Sequence, residues 1–168
     1  VSEPYRVCVV CTGNICRSPM GEFILRELFE EAGLGDRVVV DSAGTTSWEV
    51  GNPADPRTLA VLERNGHADF GGREHVARAF EHGWLAERDL VLAADRGHAS
   101  TLRSYARTPE DAAKVRLFRS FDPAAGEDAE MPDPWYGDAA AFDQTYAEVT
   151  AAARGVVDFV RDDLDRRG

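Results

Sequence analysis

Val10-Cys11-Thr12-Gly13-Asn14-Ile15-Cys16-Arg17-Ser18-Pro19 sets a cysteine and an arginine six positions apart around a glycine-bearing turn. The apolar run Tyr5 to Val10 precedes it and predicts a first strand over Arg6–Val10, while Ser18-Pro19 is a helix-start signal. Strand, tight loop and helix together build an anion cradle, because loop N–H groups and the helix N-terminus converge on one point. The positive field of such a cradle favours a thiolate at its floor, the nucleophilic form of cysteine. An arginine beside it offers a planar fork that matches two phosphate oxygens. Nucleophile, cradle and clamp point to phosphoryl transfer through a covalent phosphocysteine.

Other readings of the same residues are weaker. Cys8, Cys11 and Cys16 lack the second close pair that structural zinc sites use. No Gly-Lys-Ser/Thr follows the loop, so it is not a Walker-type phosphate loop. Three cysteines, two of them in one loop, do not make a secreted disulfide framework. Neither a metal nor a cofactor is expected.

Working outward, 168 residues suit one domain spanning 1–168. A hydrophobic content of 43 % and a charged content of 29 % are those of an ordinary globule. The apolar run after Val1-Ser2-Glu3-Pro4 is too short for a signal peptide, and no segment has the length of a membrane span. A reducing cytoplasm is the expected location. The formal net charge of −11 argues against nucleic acid or an anionic membrane as partner, and makes the cradle a local positive exception. Lys114 is the single lysine beside many arginines and alanines, a bias that points to a GC-rich bacterial genome.

Strand-like and helix-like stretches alternate along the rest of the chain. Ser18 to Gly33 predicts the first helix, with Met20, Phe23, Ile24 and Leu28 as its apolar stripe. Val38–Val40 is the second strand, which Asp41-Ser42-Ala43-Gly44 leaves. Pro56–Asn65 is a short helix. Arg88–Ala94 is the third strand, Asp95–Ala106 the helix after it, and Val115–Phe118 the fourth strand. The last helix shows the cleanest three-and-four spacing, through Phe142, Tyr146, Val149, Ala153, Val156, Val160 and Leu164. The pattern predicts an α/β three-layer sandwich around a four-stranded parallel sheet in the order 2-1-3-4. Its topological switch point falls beside strand one, where the Cys11 loop emerges.

Cleaving a phosphate ester also needs a proton for the leaving group. Asp133-Pro134-Trp135-Tyr136-Gly137 offers an acid on a proline-stiffened loop followed by two aromatic residues. Trp48 and Glu49 on one polar loop, with Trp135 and Tyr136 on the other, suit the walls of a slot for a flat ring.

The Cys11 and Asp133 motifs together resemble the low-molecular-weight protein tyrosine phosphatase family. The likeness runs on through Asp41-Ser42-Ala43-Gly44, Trp48, Asp55-Pro56-Arg57 and His75-Val76-Ala77-Arg78, so it covers almost the whole chain. It implies that Cys11 is the nucleophile, Arg17 the phosphate clamp and Asp133 the general acid and base. It implies a phosphate-binding loop of Thr12, Gly13, Asn14, Ile15, Cys16 and Ser18, with Ser18 bonded to the Cys11 sulfur. Asn14, Ser42 and His75 resemble the polar network that fixes this loop, and Cys16 a redox partner for the nucleophile; Cys8 serves packing. Tyrosine-phosphorylated proteins are the implied partners of a monomeric enzyme.

Three departures stand out: Trp135 where many relatives carry tyrosine, Gly21 where alanine is usual, and a lengthened stretch from Asp69 to Glu74. Gly21 is expected to weaken the first helix slightly. Arsenate reductases that share the loop relay oxidation through later cysteines, and none follows Cys16 here. Protein arginine phosphatases typically carry threonine at the position of Ile15, whose branched apolar group suits a phenyl ring better than a guanidinium. A phosphocarrier module would keep the cysteine loop, but retention of both Arg17 and Asp133 favours hydrolysis.

Overall fold

β1 (Tyr5–Cys11) is the central rail of the molecule, and its alternation sets the layers. Val7, Val9 and Cys11 point into one apolar cluster, Cys8 and Val10 into another. The structure, a computed structural model, describes residues 3–67 and 74–168. The stretch read as lengthened lies outside the described residues except for Glu74.

β1 pairs in parallel with β2 (Val38–Gly44) on one side and with β3 (Leu90–Ala93) on the other, and β3 pairs with β4 (Val115–Leu117). The sheet order is therefore β2-β1-β3-β4. One face is covered by α1 (Arg17–Glu31), α2 (Pro56–Arg64) and α6 (Ala139–Arg167), through Phe23, Leu25, Leu62, Phe142 and Val149 among others. The opposite face is covered by α3 (Trp84–Glu87) and α4 (Arg96–Arg103), through Leu85, Ala99 and Leu102. α5 (Pro109–Ala113) buries no residue and leads into β4. The expected three-layer α/β architecture and strand order are present.

Several boundaries differ from the sequence reading, each for a local reason. Asp41 to Gly44 do not leave β2 but continue it to the level of Cys11. Polar residues fit this strand because each finds a partner: Asp41 takes Arg78 and Arg88, and Ser42 takes Asn14 and Glu22. α3 and α5 span four and five residues, too short to show a helical period. The last strand ends at Leu117, after which Phe118–Phe121 forms a 3₁₀ turn. Another, Pro134–Tyr136, lies inside the proline-stiffened Asp133 loop and is started by the Asp133 side chain accepting from Trp135 N at 3.1 Å.

Gly21 has a packing reason beyond helix propensity. A Cβ there would stand 2.7 Å from Phe118 Cε2 and 3.0 Å from Val9 Cγ1. The missing methyl lets α1 lie close on β1 and sets the helix N-terminus against the end of the strand that carries Cys11.

The chain runs from β1 outward to β2, then returns across the sheet to β3. The loops after β1 and β3 diverge and leave a crevice at their carboxyl ends, where open α/β sheets bind ligands. Cys11 ends β1 on one side of it, and Asp95, the N-cap of α4, follows β3 on the other.

Candidate active site

Residues 12–16 join β1 to α1 in five residues, so the loop must curl tightly. Asn14 makes the curl with φ at 60°, a left-handed conformation that asparagine adopts more readily than most L-residues. Its side chain is completely buried and satisfied from several directions. Asn14 Nδ2 donates to Ser18 Oγ at 2.8 Å and to Ser42 Oγ at 2.9 Å, while Oδ1 accepts from Arg78 N at 3.0 Å. His75 Nε2 reaches the Asn14 carbonyl at 2.7 Å. The expected supporting residues Ser42 and His75 thus both touch the loop. No side chain caps α1 at Cys16, so its N-terminal turn faces the crevice without a competing internal acceptor.

Cys11 is 3 % exposed, and its sulfur lies 3.0 Å from Ser18 Oγ. Arg17 is equally buried, an expensive place for a guanidinium unless its donors are met. Nη1 donates to the Met131 carbonyl at 2.8 Å and lies 3.4 Å from Asp95 Oδ2. Nη2 lies 3.4 Å from Thr12 Oγ1 and 3.6 Å from Asp133 Oδ2. The fork is therefore held from behind by a carbonyl and Asp95, while Asp133 approaches from its own loop.

Cys16 lies beside this chemistry, with its thiol held by Asp55. Its thiol donates to Asp55 Oδ2 at 3.7 Å, and burial first, then the Asp55 carboxylate, push its pKa well above the usual thiol range. Burial alone would raise the Asp55 pKa as well, but hydrogen bonds from the Arg57 side chain and backbone hold it below the usual carboxylate value. Arg57 grips Asp55 with Nε at 3.0 Å and Nη2 at 2.9 Å, and its Nη1 donates to the carbonyls of Trp135 at 3.1 Å and Gly137 at 3.2 Å. This strut ties the cysteine loop to the loop that carries Asp133.

A cleft of about 160 Å³ is lined by Cys11, Thr12, Gly13, Ile15, Cys16, Arg17, Trp48, Glu49, Asp133, Trp135 and Tyr136. The two motifs and both aromatic walls, read separately from the sequence, meet there. Trp48 is 78 % exposed and Tyr136 84 %, which excludes them from the core and puts them at the rim. A larger concavity, about 750 Å³, opens between the end of α1 and β2, and none of the expected site residues lines it. Among the described residues no cluster could hold a metal ion, and no helix is long and apolar enough to cross a membrane.

Sequence reasoning missed Asp95, His98, Arg57, Arg78 and the Met131 carbonyl. His98 Nε2 lies 2.8 Å from Thr12 Oγ1, and burial, against the pull of Asp95 and with the help of Arg17, lowers its pKa below the usual histidine value. Only the Asp-Pro-Arg spelling at 55–57 and the His-Val-Ala-Arg spelling at 75–78 carried any signal for two of these.

A buried cysteine in a helix-capped cradle, backed by an immobilised arginine and faced by a loop aspartate, defines a cysteine-dependent phosphate-ester chemistry. The sequence pattern of the family described as Low molecular weight phosphotyrosine protein phosphatase matches residues 6–166. The chain is 51 % identical over 164 residues to a low molecular weight protein-tyrosine-phosphatase of Streptomyces coelicolor, an alignment covering 97 % of this chain and 98 % of that one. It is 42 % identical over 174 residues to low molecular weight protein-tyrosine phosphatase A of Mycobacterium tuberculosis, covering 100 % of this chain and 99 % of that one. The crystal structure of YfkJ from Bacillus subtilis superposes with a TM-score of 0.85 at 29 % identity, covering 96 % of this chain and 98 % of that one. This protein belongs to the low molecular weight phosphotyrosine protein phosphatase family.

Asn14 gives a clean test of how the loop is held. Asn14→Gly keeps the left-handed backbone but loses the side-chain bonds, whereas Asn14→Ala loses both. Chemical denaturation should find Asn14→Ala less stable than Asn14→Gly by about 1–2 kcal/mol, the cost of a left-handed L-residue. Equal stabilities would mean that the positive φ is not what asparagine is needed for.

Proposed function

We propose that this protein hydrolyses phosphotyrosine in proteins, with residues 1–168 acting as one catalytic domain. The observation that carries the reading is the meeting of Cys11, Arg17 and Asp133 in one narrow cleft with aromatic rims. In the first step the Cys11 thiolate attacks phosphorus in line with the leaving oxygen. The S–P bond forms, the P–O bond to the phenyl ring breaks, and Asp133 gives its proton to the departing phenolate oxygen. Arg17 and the loop N–H groups hold the equatorial oxygens as charge shifts among them. In the second step water attacks the phosphocysteine, Asp133 takes a proton from it, and the S–P bond breaks to release inorganic phosphate and the thiolate.

The cleft's depth supports the choice of substrate. With Cys11 almost wholly buried, a flat phenyl stem spans from rim to floor, whereas a serine stem leaves its phosphate at the mouth. Ile15 in the lining gives such a ring an apolar neighbour, and Trp48, Trp135 and Tyr136 supply faces and edges for it, with Glu49 beside them. A monomer is the working unit in this reading. Free thiols at Cys8, Cys11 and Cys16 fit a reducing cytoplasm as the working compartment.

Cys16 is the redox partner in this reading. Peroxide oxidises the Cys11 thiolate to a sulfenic acid, and the Cys16 thiol condenses with it to give a disulfide and water. Asp55, in contact with the Cys16 thiol, is placed to relay the thiol proton to the departing hydroxyl, which leaves as water. The raised pKa of Cys16 keeps it a neutral bystander until that moment.

Three measurements test this reading. Asp133→Asn should lose about 10²–10⁴ in kcat with poor leaving groups and far less with an acidic phenol such as nitrophenol. Equal losses across the series, or a wild-type preference for phosphoarginine or phosphoserine in a phosphoamino-acid panel, would overturn the acid role or the substrate choice respectively. Peroxide-treated wild type should regain activity with dithiothreitol and yield a Cys11–Cys16 peptide. Recovery by Cys16→Ala as complete as wild type would remove the protective role.

A further inference from the structure

Behind the phosphate clamp lies a second set of polar side chains that the hydrolytic scheme does not use. Thr12 Oγ1, within 3.4 Å of Arg17 Nη2, can accept from the guanidinium, and its own proton is then free to go elsewhere. His98 Nε2 stands 2.8 Å from the same oxygen. The other ring nitrogen, Nδ1, is buried and lies 3.1 Å from Asp95 Oδ1, close but poorly aligned, so it has no well-formed hydrogen bond. Asp95 Oδ2 in turn lies 3.4 Å from Arg17 Nη1. Arg17, Thr12, His98 and Asp95 therefore form a ring behind the clamp, three of its edges hydrogen bonds and the His98–Asp95 edge a close charge contact.

Charge fixes the proton positions around that ring. A neutral imidazole with its proton on Nε2 would present the Nδ1 lone pair to the Asp95 carboxylate, lone pair against anion. With the proton on Nδ1, the partial positive charge of that N–H lies near the Asp95 carboxylate and Nε2 accepts the Thr12 hydroxyl. The Asp95 carboxylate also accepts the His98 backbone N–H at 2.9 Å, as the N-cap of α4, so the helix anchors the whole arrangement.

We propose that His98 is a positioning residue for Arg17: by accepting the Thr12 hydroxyl proton at Nε2 and facing Asp95 with Nδ1, it closes the ring that keeps the guanidinium turned toward phosphate. The proposal rests on Arg17 being the phosphate clamp. Because the ring contains an imidazole, it is also sensitive to acid. The charged groups that act on His98 are Asp95 at the start of α4, Arg17 from α1, and Asp133 and Glu130 from the segment before the last helix. Protonation gives Nε2 a hydrogen, so it no longer accepts from Thr12. The new positive charge draws Asp95 toward itself and opposes Arg17. Burial resists that protonation, so the neutral form holds at neutral pH and the ring loosens below the ordinary histidine range.

The test is calorimetric binding of inorganic phosphate, which needs no turnover, together with kcat and KM on a phosphotyrosine peptide. His98→Leu should weaken phosphate binding about threefold to tenfold, the loss of one hydrogen bond in a charged network. His98→Gln, whose side-chain oxygen reaches the place of Nε2, should recover most of that loss. It should also show less weakening than wild type as pH falls below about 6.5. If His98→Leu does not fold by circular dichroism, Thr12→Val against Thr12→Ser carries the same comparison from the cleft side, and only the valine variant should lose affinity. Wild-type affinity in a folded His98→Leu or Thr12→Val overturns the proposal, as does a glutamine variant that binds no better than leucine. A wild type that binds phosphate without hydrolysing phosphotyrosine would refute the proposed function while leaving this ring open to measurement.

Discussion

Asn14 has to turn the chain through a left-handed conformation within five residues of the end of a central strand, and the rest of the site depends on that turn. An asparagine buried there without partners would cost more than its conformational tolerance saves. The fold answers with β2, which runs on to Gly44 so that Ser42 meets the Asn14 amide, and with the segment 75–78, which brings the Arg78 N–H and His75 to the other side. Ser18 closes the circuit, since it takes the second Asn14 bond and touches the Cys11 sulfur. Cys11 is thus oriented by the same network that shapes the cradle.

A second constraint is the burial of a guanidinium. Arg17 stays in a site that is nearly closed to water because a main-chain carbonyl and Asp95 stand behind it. That backing leaves the front of the fork for a ligand, and it places the positive charge where an otherwise strongly acidic protein has need of it. Preorganisation of this kind matters because a donor already aimed at the transition state needs no reorientation during the reaction. The Asp133 loop is held with similar economy: Arg57 binds two of its carbonyls while its other nitrogens are committed to Asp55.

The parts of this arrangement that are contiguous in sequence were legible there. The cysteine loop is ten residues of unbroken signal, the Asp133 loop carries its own turn chemistry, and alternation of β-branched and helical stretches gives the strand order through connection rules. What was hidden depends on long-range pairing. The bond from Arg17 to the Met131 carbonyl spans 114 positions and that from Thr12 to His98 spans 86, and no local pattern marks either. β2 was cut short because Asp41 and Ser42 look like strand breakers until their partners on other elements are known. Gly21 looked like a weak helix residue, and only the contact with Phe118 and Val9 shows why a methyl is excluded.

The central claim is that phosphate passes through the Cys11 sulfur. Rapid acid quenching during turnover of a phosphotyrosine peptide, followed by peptide mapping of the protein, tests it directly. The phosphoryl group should be found on Cys11, and its appearance should coincide with a burst of dephosphorylated peptide that precedes inorganic phosphate. A protein that turns over the same substrate with no phosphoryl group on Cys11, and with dephosphorylated peptide and phosphate released in step, would contradict the account.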